Sequence, residues 1–199
     1  MPSLDYELPT PALLAPILAG LVIWALVRLR GRATPLRVVV GLAAAVYAAA
    51  AVNKVLLPVT ILTGEARERL SPWTIYLQLV PFASAADDPS GALLNVLLFV
   101  PLGVLLPLVT RIRGFWRITA VGALVSLGIE TVQFAMRMTV FSGRIADIDD
   151  LIANTVGAAL GAAVYLLATR LAPLRRLIRA AELPAAAPAA RRPVTQRAG

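Results

Sequence analysis

Five apolar stretches, each close to the roughly 20 residues that cross a bilayer, leave this chain few ways to fold. They cover residues 11–27, 38–58, 92–110, 118–136 and 150–169. In hydrocarbon every backbone N–H and C=O needs a partner within the protein, and a run of this length meets that need as a helix. Composition agrees: 59% of the 199 residues are hydrophobic and 15% are charged, where an ordinary soluble domain carries about 25% charge. The expected fold is therefore all-α, a polytopic transmembrane bundle of five spans.

The basic residues orient it. Arg28, Arg30, Arg32 and Arg37 follow the first run, and Arg111, Arg113 and Arg117 follow the third. The tail from residue 170 holds seven arginines and one acid. The opposite side takes ten acids and five bases. Basic loops stay in the cytoplasm, so the N-terminus is expected outside and the C-terminus inside, in a plasma membrane. The first run reads as a retained span and not a cleaved signal, because Asp5 and Glu7 precede it and arginines follow.

Three regions follow: residues 1–37 as first span and basic loop, 38–169 as the main membrane domain, and 170–199 as a basic, unstructured tail. Within the second, residues 59–90 form the one long connection, whose piece 72–80, with Trp73 and Tyr76, reads as surface-lying or re-entrant. Pro101 should kink the third span. Gly157 and Gly161 should form a close-packing ridge on the fifth.

Several chemistries are excluded. There is no cysteine and no histidine, so disulfides, thiolate nucleophiles and most familiar zinc sites cannot form. The arginines lie in short clusters without interleaved aromatics, which speaks against nucleic acid despite the net charge of +8.

With this topology the polar residues of four spans collect at the outer ends. Asn53 and Lys54 close the second span, Lys54 either snorkelling to the interface or facing the polar group. Asn95 opens the third. Ser126, Glu130, Gln133 and Arg137 follow i, i+4, i+7, i+11 on the fourth. Asp147, Asp150 and Asn154 follow i, i+3, i+7 on the fifth, with Asp149 turned towards Arg144 or towards first-turn amides. A buried carboxylate such as Glu130 is costly in lipid unless paired or hydrated. The group is either a polar lock that positions helices or an outward cleft that binds a head group. Arg137 and Arg144 suit anionic oxygens, with Asn95, Gln133 and Asn154 to orient them. Glu130, Asp147, Asp149 and Asp150 could instead hold a divalent cation. If the protein is an enzyme, Glu130 or Asp147 is the candidate general base.

The ordered set Val80-Pro81-Phe82, Asn95, Leu97 to Gly103, Ser126, Glu130, Gln133, Gly143-Arg144, Asp147 to Asp150 and Asn154 to Gly157 resembles the VanZ-like family of bacterial membrane proteins over roughly residues 40–168. The resemblance implies a cell-envelope role. The family's founding member is associated with low-level resistance to the glycopeptide teicoplanin, and the family's biochemical activity is left undefined. The expected ligand is an anionic lipid-linked or amphiphilic molecule of the envelope. A membrane enzyme acting on such a lipid is the alternative, as is a scaffold or transporter, for which a homo-oligomer would be needed to build a path.

Overall fold

The computed structural model describes residues 6–7, 10–56, 60–61, 73–139, 141–142 and 145–184. Long helices dominate: α1 (Thr10–Leu29), α2 (Pro35–Leu56), α4 (Pro89–Val109), α5 (Phe115–Thr139) and α6 (Ile148–Arg170). Two short helices, α3 (Ala83–Asp87) and α7 (Ala172–Ala181), complete the set among the described residues. Among the described residues, four helices (α2, α4, α5 and α6) are long and apolar enough to cross a membrane. The described apolar part of α1, Leu14–Leu29, is shorter. What these helices leave uncovered is apolar: Leu26, Val39, Leu97, Leu124, Leu160 and Leu167 are all exposed. In water that surface would be unstable; in a bilayer it is the expected outer face.

Start signals explain where the helices begin. Asp88 caps α4, accepting from the Gly91 amide at 2.9 Å and from the Ser90 hydroxyl at 2.6 Å. Pro89 takes the first helical position, where no N–H is needed. Pro101 does not break α4, which runs unbroken to Val109. The Tyr47 hydroxyl of α2 donates to the Leu98 carbonyl at 2.8 Å, which ties α2 to α4. At the far end Arg113 donates to the carbonyls of Pro107 and Thr110, which have no helical partner.

Small strands gather the connections at one end of the bundle. β1 (Tyr6–Glu7), β2 (Thr60–Ile61) and β4 (Phe141–Ser142) form an antiparallel sheet in the order β1-β2-β4. β3 (Leu77–Gln78) pairs in parallel with β5 (Ala146–Asp147). Of the piece 72–80, read from sequence as surface-lying or re-entrant, the described residues give one 3-10 turn over Trp73–Tyr76 and then a strand. The pairing with β5 supplies partners for this strand's backbone, and Tyr76 is buried.

The other end is tied by Arg28, which donates to the Val109 carbonyl at 3.2 Å, and by the Leu183 amide, which donates to the Leu108 carbonyl at 2.8 Å. An ion pair joins Arg113 to Glu182 at 3.0 Å. Leu108, Ile118, Ala162 and Tyr165 form a core there, with Ile178 of α7 packed on it. The region from 170 therefore begins with an ordered helix where an unstructured tail was expected. Its apolar positions find a hydrophobic surface to dock on, which composition does not reveal. Residues 185–199 lie outside the described residues.

The tightest packing joins α4 to α6. A Cβ on Gly157 would stand 2.2 Å from the Val96 carbonyl oxygen, and one on Gly161 would stand 2.2 Å from that of Val100. Gly103 faces them from α4, its added Cβ only 2.4 Å from the Ala158 oxygen. Backbone meets backbone here, so nothing flexible can yield. The ridge expected from Gly157 and Gly161 is present, and Gly103 is its counterpart. Gly161→Ala should lower stability by about 1–3 kcal/mol, the usual cost of overpacking. Gly128→Ala, where nothing lies within 4 Å, should be neutral or stabilising by about 0.5–1 kcal/mol. Thermal unfolding of the two variants in one detergent checks the contrast; equal shifts would contradict it.

Candidate functional site

The polar end is built around a carboxylate that serves as a latch. Asp149, 5% exposed, accepts from the Phe82 amide at 2.5 Å and from the Ala85 amide at 3.0 Å. These amides stand at the start of α3, not in the first turn of Asp149's own helix, where the sequence pointed. Phe82 caps α3 with φ 66°, a left-handed conformation that costs a bulky residue strain. The carboxylate holds that turn in place. Asp147 caps α6, accepting from the Asp149 amide at 2.8 Å. Asp149 and Asp150 then sit in the first turn of α6, where negative charge suits the helix dipole.

From α5, Glu130 accepts from the Asp147 amide at 3.0 Å. Ser126, Glu130 and Gln133 are all buried, so the stripe read at helical spacing does face inward. The stripe on α6 is shared between two neighbours: Asn95 of α4 donates to Asp150, while Asn154 donates to the Ser126 hydroxyl of α5 at 2.9 Å. The buried Asn154 Oδ1 has no hydrogen-bond partner among the described residues, leaving one acceptor open between α5 and α6. Arg137 lies 4.6 Å over the Tyr76 ring, a cation–π contact. Gly143 and Arg144 lie outside the described residues.

Two hollows flank this network. A polar cavity of about 300 Å³ is lined by Lys54, Asp88, Asn95, Asp147, Asp149 and Asp150, with Ser84 and Ser90 at its wall. Lys54, at the exposed end of α2, is part of the lining of the polar cavity. An apolar groove of about 260 Å³ runs along Leu77, Leu79, Leu127, Phe134 and Leu151, with Glu130 and Asp147 at its edge. Asp147 belongs to both walls.

The divalent-cation reading fares differently. Among the described residues no group of three or more acidic side chains is placed to hold a metal ion. The reason is visible in the partners. Asp149 is turned to the amides of the 82–85 turn, Asp150 to Asn95, and Glu130 and Asp147 to helix-start amides. Carboxylates so directed do not converge on a point.

Sequence reasoning passed over Asp88, Ser84 and Ser90 as parts of this wall, and Tyr76 as the platform for Arg137. The Asp88-Pro89 pair did carry a signal, since an acid followed by proline is a helix-start signature. The parallel pairing that brings Tyr76 inward has no local signal.

Removing the latch is a direct test of its role. Asp149→Ala strands two amides and should cost about 1–3 kcal/mol, while Asp149→Asn keeps an acceptor and should cost less. Hydrogen exchange should quicken at residues 82–87 before it changes in α4. Unchanged exchange there would show that the carboxylate does not hold the turn.

Comparison with known proteins places the chain. The family model described as VanZ/LLP1 matches residues 44–169, which takes in α4, α5, α6 and the whole polar network. Protein VanZ of Enterococcus faecium is 35% identical over 94 residues, 47% of this chain and 55% of that protein. The chain thus spans about half the length of this curated relative. No solved structure matches. With the family model covering more than half of its residues, the chain belongs to the VanZ/LLP1 family.

Proposed function

We propose that this protein is a multi-pass component of the bacterial plasma membrane whose polar end binds an amphiphilic, lipid-linked envelope ligand. The head group sits in the polar cavity and the chain lies in the apolar groove. The observation that carries this reading is the shared wall at Asp147: a polar cavity and an apolar groove meet at one residue. Such a junction fits a molecule with a polar head and a long apolar chain, because each part is desolvated against matching surface.

The head group follows from the wall. Asp88, Asp147 and Asp150 would meet amines or hydroxyls, and Lys54 an anionic oxygen. Of the arginines expected to clamp an anionic head, Arg137 is engaged with Tyr76 and Arg144 lies outside the described residues. A zwitterionic or hydroxyl-rich head therefore suits the described wall better than a purely anionic one. An effect on glycopeptide susceptibility would be indirect, through the envelope ligand held here.

The reading includes five spans, with α1 as the first, the polar end outside and the basic end in the cytoplasm. It is supported by the grouping of the segments before α1, after α2 and after α5 in one small sheet, as alternating spans require. The distribution of arginines sets the side.

A second reading, the polar lock, has its own support: Glu130, Asp147, Asp149 and Asp150 each accept from a donor within the protein. The two readings separate by experiment. Thr131→Trp fills the groove from an exposed position without touching the carboxylates. Mass spectrometry of the purified protein with its lipids retained should find a specific amphiphile in the wild type and at least ten-fold less in Thr131→Trp. Identical lipid profiles in two equally stable proteins would leave the lock as the function of the cluster. Turnover of that amphiphile by the wild type but not by Glu130→Gln would turn the binding site into an active site.

A further inference from the structure

The helix at the basic end is the part of the molecule that neither the fold nor the proposed site uses fully. α7 (Ala172–Ala181) follows the end of α6 at Leu171 and crosses the bundle to the end of α4, where the Leu183 amide reaches the Leu108 carbonyl. Leu174, Leu177, Ile178 and Ala181 recur at i, i+3, i+4, i+7 on one face, and Arg175, Arg176 and Arg179 occupy the other. The protein covers only part of that apolar face. Ile178 packs on the core and Ala181 is buried, whereas Leu174 is 39% and Leu177 53% exposed.

Tryptophan stands around this helix. Trp116, 79% exposed at the start of α5, stands at the same end of the bundle, and tryptophan concentrates at the membrane–water boundary. Arg28, which ties α1 to the end of α4, also lies 5.7 Å from the Trp24 ring. The exposed leucines of α7 thus share the end of the bundle with Trp24 and Trp116, and the three arginines lie on the other face of the helix.

We propose that α7 is a lipid-surface helix: Leu174 and Leu177 enter the acyl region, and Arg175, Arg176 and Arg179 bind the phosphates of an anionic leaflet. The occupant is a leaflet of acidic phospholipid, and not a protein partner. A half-buried apolar edge bordered by clustered arginines is the pattern of interfacial helices, and each arginine near an anionic surface adds attraction. The inference does not depend on the ligand of the polar end, nor on which side of the membrane the basic end faces.

Hydrogen exchange of the full-length protein in nanodiscs tests it. Discs of phosphatidylcholine alone are compared with discs that also contain phosphatidylglycerol. Amides of residues 172–184 should exchange about ten-fold more slowly in the acidic discs, while the amides of α4 and α6 serve as an unchanged internal reference. Replacing Arg175, Arg176 and Arg179 together with glutamine should abolish the dependence on lipid charge, and replacing them with lysine should keep it. Equal exchange of the wild type in both discs would overturn the proposal, as would an undiminished dependence in the glutamine variant.

Discussion

The close approach of α4 and α6 is the contact on which the rest of the structure depends. Lipid chains are as apolar as leucine, so no hydrophobic force drives helices together inside a bilayer; packing and hydrogen bonding do. Gly103, Gly157 and Gly161 let the two backbones touch. That contact sets the register between the helices. It brings Asn95 of α4 to Asp150 of α6, and it places Asp149 within reach of the turn that leads into α4. A wider separation would leave both carboxylates without donors at the edge of the membrane.

The acids of the polar end answer to that same economy. Glu130, Asp147 and Asp149 accept from backbone amides that would otherwise be stranded at helix starts, and Asp150 accepts from the Asn95 side chain. They do not converge as metal ligands. The same fixed carboxylates serve both readings: they lock the helix starts, and they form the polar wall that Asp147 joins to an apolar groove in the proposed binding site. At the opposite end arginines perform the corresponding task for carbonyls, with Arg28 and Arg113 closing α4.

Much of this was legible in the sequence, for reasons that differ by residue. The long helices follow from apolar length, and their ends fall within a few residues of the apolar runs. Ser126, Glu130 and Gln133 reveal a buried face by helical spacing alone. Gly157 and Gly161 announce close packing because little else explains paired small residues four apart in such a helix. What escaped depends on partners distant in the chain. The target of Asp149 lies 67 residues away at Phe82, and no local pattern connects them. The strand at Leu77–Gln78 exists because β5 lies beside it. Helix α7 lies in a stretch that reads as a basic, unstructured tail because arginines punctuate it, and the value of its apolar residues appears only beside Leu108 and Ile118.

The most direct test of the shared polar and apolar site is an experimental density map of the protein in nanodiscs made from bacterial lipid extract. The account predicts elongated density along Leu127 and Leu151 that ends in a head group between Asp147 and Lys54. A groove closed by its own side chains, or lipid density that passes Asp147 without entering the polar cavity, would contradict it.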